Sequence, residues 1–212
     1  MTTPTASASG RPTQSERRAR TRAALLEATA IHITRYGYAD LVLDRVASDA
    51  GYTRGALYHL FANKEELVLA VVAWVREAWR DEVGHLLDDE TDPVKTLIAV
   101  ARAFATSSRH NVPTVLTRLR ADFVGTDHPI EKAINDVRRD FCEVAARFIT
   151  AGRTSGTIPP GPPAEVMAIA YMGVLDGVVS HLDDQAPFDA LFAERATIGV
   201  LGLQPTPETD NA

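Results

Sequence analysis

Residues 43–61, LDRVASDAGYTRGALYHLF, form the constellation whose residue types and spacing point most directly to a chemistry. A small residue at Ala47, a glycine at Gly51 and an apolar residue at Leu57 have the spacing of a helix-turn-helix. Two short helices that cross near a right angle need a small side chain where they touch, and Ala47 supplies it. The turn between them needs a residue with positive φ, which Gly51 adopts without a Cβ clash. Val46, Ala50, Leu57 and Leu60 then complete a small apolar core between the two helices. In such a unit the second helix enters the DNA major groove by its N-terminal end, so the chemistry is recognition rather than catalysis.

Other chemistries find little support. The histidines (32, 59, 85, 110, 128, 181) are scattered, with no pair at metal-ligand spacing on one helix face. His32 falls on an apolar face and is expected to be a satisfied core histidine. Ser180 and His181, with Asp183 and Asp184 nearby, resemble pieces of a hydrolytic triad, but neighbours on one helix point in different directions and make no relay. GxSxG, Walker A and GxGxxG motifs are absent, and the single cysteine, Cys142, rules out an internal disulfide or a multi-cysteine zinc site. No catalytic residue, metal or cofactor is expected.

The chain has 212 residues and a net charge of −6, which at first sight argues against a polyanionic partner. The charge is unevenly placed. Residues 11–64 carry nine Arg or Lys against five Asp or Glu, whereas 65–212 carry thirteen against twenty-three. Nucleic-acid binding depends on where positive charge is concentrated, so a basic N-terminal unit on an acidic body permits it. No apolar run reaches the ~18 residues that span a bilayer. The opening MTTPTASASG lacks the apolar centre of a signal peptide, so a cytoplasmic protein without membrane contact is expected.

The periodicity is helical almost throughout. Residues 1–14 read as a disordered tail and 204–212 as a flexible one. The first helix runs from about 15 to 36, with Thr13 and Glu16 at capping-box spacing and Gly37 as a left-handed stop. Short helices follow at about 43–50 and 54–60, the second capped by Thr53. Asn63 opens a long fourth helix to about Leu87, with Asn63 and Glu66 again at capping-box spacing. Further helices are expected from Asp92-Pro93 to Ser108, Asn111 to Val124, Pro129 to near Gly152, 164 to 182 and about 187 to 202. The run GTIPPGPP (156–163) breaks the pattern, because its prolines remove donors and clash with a preceding turn.

From Thr21 to Leu67 the sequence resembles the TetR family of one-component regulators, through TRAALLEA, the GY at 37–38, DRVASDAG, TRGALYHLF and NKEEL. The resemblance implies an all-α fold of about nine helices. An N-terminal three-helix DNA-binding domain (residues 19–79, motif about 42–61) would be joined by a long helix to a ligand-binding and dimerisation domain (80–203). It further implies that Thr53, Arg54 and Ala56 face base edges, with Arg54 suited to a bidentate guanine contact and Ala56 to a thymine methyl. Gly55 would let the backbone approach closely, and Tyr58, His59 and Lys64 would contact phosphates, which position the protein without reading sequence. Tyr58 could otherwise be a half-buried aromatic and His59 a solvated surface residue. Arg45 is placed either to touch DNA or to serve as surface charge, and the same choice holds for Arg17, Arg18, Arg20 and Arg22. Two departures, Val42 where the family often has Thr and Leu60 in place of a common aromatic, bear on operator identity rather than on binding.

The resemblance also implies a homodimer on double-stranded operator DNA. Its face is expected on the last two helices, where Gly173 and Gly177 make a smooth stripe and Asp176 matches a recurring family pattern. A sensor also needs a cavity, for which Phe104, Leu119, Phe123, Phe141, Met167 and Tyr171 are the candidates. Arg120 and Asp122 beside that face would orient a polar group of the ligand or pair with each other. The expected activity is a repressor of a palindromic operator, released by a small apolar or amphipathic effector of unknown identity. The competing possibility is a ligand-independent regulator or activator of the same fold.

Overall fold

A computed structural model describes residues 13–87, 92–107, 112–181 and 188–204, so the expected tails lie outside it except at their inner ends. Helix α1 (Gln14–Tyr36) starts on Thr13, the cap expected from its spacing to Glu16, one residue before the expected start near 15. Thr13 Oγ1 accepts the Glu16 N–H at 3.2 Å, and the Glu16 carboxylate accepts the Thr13 N–H at 2.6 Å. This reciprocal pair satisfies two of the backbone donors that a helix start leaves open. At the other end Gly37 has φ +77° but ψ 177°, so the helix stops on a positive φ without entering the left-handed helical well.

Helices α2 (Leu43–Asp49) and α3 (Arg54–Leu60) follow, with Gly51 at φ +78° in the turn. Ala47 is buried, and its carbonyl accepts the Tyr52 N–H at 2.8 Å, which closes that turn. Thr53 caps α3 through the Ala56 N–H. Helix α4 (Lys64–Leu87) starts on Asn63, whose side chain accepts the Glu66 N–H at 2.8 Å. The Glu66 carboxylate reaches back to Ala62 N–H rather than to that of Asn63, one residue beyond the expected box. His32 Nε2 meets Asp49 Oδ2 at 2.7 Å, so this buried histidine is satisfied by α2.

The body comprises α5 (Pro93–Ser107), α6 (Val112–Phe123), α7 (Pro129–Ser155), α8 (Ala164–His181) and α9 (Phe188–Val200). Asp92 caps α5 by accepting the Val94 and Lys95 N–H groups, which leaves Pro93 where no donor is needed. The described residues contain nine helices and no strand. Helix α7 runs past Gly152, its expected end, to a left-handed cap at Gly156. Gly152 is inside the helix because Ile158 folds back onto it: a Cβ there would lie 2.6 Å from Ile158 Cδ1.

Two apolar clusters hold the chain. The first joins α1 to α4 and takes in Val115, Leu119 and Phe123 of α6 and Ile130 and Ile134 of α7. The second lies among α5, α7, α8 and α9 around Tyr171, Phe148 and Ile149. Each fully buried Leu or Ile in these clusters contributes roughly 1.5–3 kcal/mol relative to exposure. Helix α4 therefore anchors in the first cluster with Val68, Val71, Val72 and Val75 and reaches the second with Leu87.

Candidate nucleic-acid interface and ligand cavity

Helix α3 packs inward through Leu57, which is fully buried, and turns Arg54, Gly55, Tyr58 and His59 to solvent. Thr53 and Arg45 are exposed on the same unit, and Ala56 is partly covered. The Arg54 guanidinium is held on two sides, 3.0 Å from Asp44 of α2 and 5.2 Å above the Tyr58 ring. Both partners of the ion pair are more than half exposed, so it orients the arginine more than it stabilises the fold. Lys64 is less free than the sequence suggested. Its Nζ donates to the Ala39 carbonyl at 3.1 Å and sits 4.4 Å from the Tyr38 ring centre. Burial lowers the Lys64 ammonium from its usual value, and two of its three N–H donors are left for another acceptor. Val42 precedes α2 without any side-chain cap, as its hydrocarbon side chain requires. Among the N-terminal arginines, Arg22 lies 5.7 Å over the Phe61 ring while Arg18 and Arg20 are exposed.

The reading unit is fixed to the body at Tyr38. Its backbone N–H donates to Asp122 of α6 at 2.8 Å, and its ring meets Phe123 edge-on at 4.7 Å between centres. The neighbouring Gly37 is buried against α6, where a Cβ would fall 2.6 Å from Arg118 Nη2 and 3.1 Å from Asp122 Oδ2. Asp122 was expected to orient a ligand or pair with Arg120. Instead it binds this turn, and its nearest ion-pair partner is Arg118 at 3.9 Å. Arg120 borders a separate hollow of about 140 Å³ with Glu131 and Asn135. His128, which caps α7, adds a contact to Glu65 of α4 at 3.5 Å.

Below this junction the body forms a cavity of about 1430 Å³ that is partly open to solvent, larger than the ~300–1,000 Å³ of ordinary ligand sites. Phe104 of α5, Phe141 of α7 and Tyr171 of α8 line it. Leu119, Phe123 and Met167 do not. Leu119 and Phe123 turn into the first apolar cluster beside the helix-turn-helix unit, and Met167 packs into the second. Helical periodicity identifies their faces as apolar but not which neighbour those faces meet. Burial raises the Tyr171 phenol well above its normal value, and its hydroxyl donates to the Leu97 carbonyl at 2.6 Å, so only its ring is offered to the cavity.

Sequence reasoning missed the contribution of α4 and the charged groups. Trp79 stands 5.1 Å from Phe104 and 5.8 Å from Phe141 between ring centres. Arg76 and Arg80 meet Asp140 of α7, and Arg138 of α7 meets Asp176 of α8 at 2.6 Å. Arg76 and Arg80 share a face of α4 with Trp79, and Asp140 lies on α7 near Asp136, Glu143 and Arg147, so the local pattern reads as ordinary surface charge and gives no signal of this pairing.

Asp176 was expected on the dimer face, but it lines the cavity against Arg138. Gly173 is exposed and Gly177 partly so, and a Cβ at either would meet nothing within 4 Å inside the protomer. Val166 and Ile169 of α8 are exposed on the Gly173 side, and Leu191 and Phe192 of α9 are exposed as well.

Among the described residues no helix is long and apolar enough to cross a membrane, and no cluster of His, Cys, Asp or Glu has the makings of a metal site. A helix-turn-helix unit thus stands at one end of α4 and the cavity at the other. Residues 25–71 match the family model described as bacterial regulatory proteins, tetR family. The HTH-type transcriptional repressor BepR of Brucella suis is 23% identical over 179 residues, covering 82% of this chain and 86% of its own. The A-factor receptor protein of Streptomyces griseus is 26% identical over 159 residues, covering 71% of this chain; the match spans only 52% of that longer relative. The fold is also that of AibR, whose structure was solved with isovaleryl coenzyme A and operator DNA, at a TM-score of 0.72 and 20% identity over 87% of this chain and all of that one. The helix-turn-helix part of the chain, residues 25–71, is thus similar to the TetR family of bacterial regulatory proteins, and the rest shares the fold of these neighbours.

Proposed function

We propose that the protein is a cytoplasmic repressor that binds a palindromic operator as a homodimer and is released by a small amphipathic effector in the body cavity. The observation that carries this reading is the path of α4. The helix begins at Lys64, four residues after the end of α3, and puts Arg76, Trp79 and Arg80 into the cavity wall. An effector seated there favours one position of α4 over another, and so sets the separation of the two reading helices in the dimer. That is a population shift, driven by the ligand's differential affinity for the two positions.

Arg54, Thr53 and Ala56 read base edges in this scheme, while Gly55 admits the backbone and Tyr58, His59, Lys64 and Arg45 hold phosphates. The exposed apolar strip of α8 and α9 around Val166, Ile169, Gly173, Leu191 and Phe192 supports pairing of two copies there. Two half-sites about one helical turn apart are then read together.

The test is fluorescence anisotropy on duplexes from the region upstream of the protein's own gene at physiological salt, with nuclease protection to map the site. A two-fold-symmetric footprint bound by two chains is expected. Equal, weak binding by wild type and Arg54→Ala would overturn sequence-specific recognition.

A further inference from the structure

The polar groups of the cavity are unevenly matched. Arg76 and Arg80, four residues apart on α4, both face Asp140: Arg76 Nη2 donates to Asp140 Oδ2, and Arg80 Nη2 lies 3.7 Å from the same oxygen. Two guanidinium groups thus share one carboxylate and leave a net charge of +1. Arg76 Nε is buried with no hydrogen-bond partner among the described residues. The other internal pair joins Arg138 to Asp176 at 2.6 Å. Glu143, Arg147 and Glu165 also border the cavity and are exposed, as Arg80 is at 63%, so water screens all four. Among the described residues no ion pair joins the three to Arg76, Arg80 or Asp140, and Arg76 with its buried Nε is the least screened cation of the cluster. The wall beside Arg76 and Arg80 is carbon: Trp79 touches Phe104 and Phe141, and Phe141 stacks on Tyr171 at 6.1 Å.

We propose that the cavity takes an amphipathic monoanion, with an alkyl or aromatic body against these rings and one carboxylate on Arg76 and Arg80 beside Asp140. This rests on the cavity being the effector site, as proposed above. A cation would add a third positive charge to the cluster, and a neutral head group would leave its surplus uncompensated. A carboxylate makes it neutral, two arginines to two acids. The donors suffice, because each guanidinium carries five N–H groups in a planar fork suited to a carboxylate. Asp140 is then an internal competitor that keeps the arginines paired while the cavity is empty.

The experiment is isothermal titration of the full-length protein with two matched probe sets: dodecanoate, dodecanamide and dodecylamine, and 2-naphthoate with 2-naphthamide. Each carboxylate should bind at least about tenfold more tightly than its amide, with the amine weakest. Arg76→Gln and Arg80→Gln should each erode that preference while leaving amide affinity within about twofold, so amide binding also reports an intact cavity. Asp140→Asn, which removes the competitor, should tighten carboxylate binding several-fold, an effect that a purely structural role for the cluster does not give.

Equal affinity for acid and amide, a preference that survives in the Arg76→Gln, Arg80→Gln double variant, or weaker acid binding by Asp140→Asn overturns the anion assignment and leaves the effector site standing. If no probe of either set binds while operator binding is intact, the effector-site reading fails and takes the anion assignment with it.

Discussion

The Asp122 carboxylate accepts the backbone N–H of Tyr38 at 2.8 Å, across eighty-four residues of sequence. Asp122 lies in the last turn of α6, whose Leu116 and Thr117 border the cavity, and Tyr38 follows α1 in the DNA-reading unit. One helix therefore touches both the ligand space and the turn that seats the reader. Replacing Asp122 with Ala removes one partly exposed hydrogen bond, so a loss of about 1 kcal/mol is expected. That corresponds to a melting temperature lower by ~2–4 °C. Operator binding should persist, and the effector concentration needed for release should change, as an anisotropy competition would read. An unchanged release curve would confine coupling to α4.

Arg54 is restrained by Asp44 and the Tyr58 ring before any DNA arrives. Loss of a bidentate base contact costs ~1–3 kcal/mol, so Arg54→Ala should weaken operator binding about 10- to 100-fold. Binding to unrelated DNA at low salt should fall much less. Asp44→Ala frees the same guanidinium and removes a negative charge from the face, so affinity for unrelated DNA should rise and specificity fall. The ratio of operator to competitor affinity measures both effects.

Gly152 and Gly173 are both helical glycines, with opposite surroundings. Gly152→Ala forces Ile158 to move, because the new Cβ would sit 2.6 Å from Cδ1 and 2.7 Å from Cγ1. Overpacking of this kind costs ~1–3 kcal/mol, visible as an earlier thermal transition. Gly173→Arg meets nothing within the protomer, so the fold should hold while sedimentation shows monomers. Dimers that survive that change would move the pairing face elsewhere.

Glu131 gathers the loop before α7, accepting the N–H groups of Gly125, Thr126 and Asp127. These bonds, that from Gly125 foremost, hold its carboxyl below the usual value of 4.5. A depressed folded-state pKa adds stability above the unfolded value, and that stability is lost as pH falls through the folded one. Glu131→Gln should thus melt earlier than wild type at pH 7, with the gap closing as the pH drops below about 4.5. A gap of constant size across that range would show that charge is not what the loop uses.

What was legible in the sequence follows from how local each rule is. Thr13, Thr53 and Asn63 announce helix starts because a cap needs only its next three residues. Gly51 marks its turn for the same reason. Gly152 and Gly156 offer two stops four residues apart, and only the return of Ile158 selects the second. Leu119 and Phe123 are plainly apolar, yet whether they face a cavity or Tyr38 depends on how α6 lies against α1. The Arg76–Asp140 pair spans sixty-four residues, and no local pattern joins its ends.

Val115, Leu119, Phe123, Ile130 and Ile134 belong to the same apolar cluster as the DNA-reading helices. The reader is thus not a detachable module. A fragment ending at residue 79 would leave that face of α1 and α4 uncovered and prone to aggregation. A chimera that transplants this reader onto a different sensor would have to carry α6 and the first two turns of α7 with it. Recombination between family members is expected to succeed at boundaries that respect this shared floor and to fail at those that follow helix order alone.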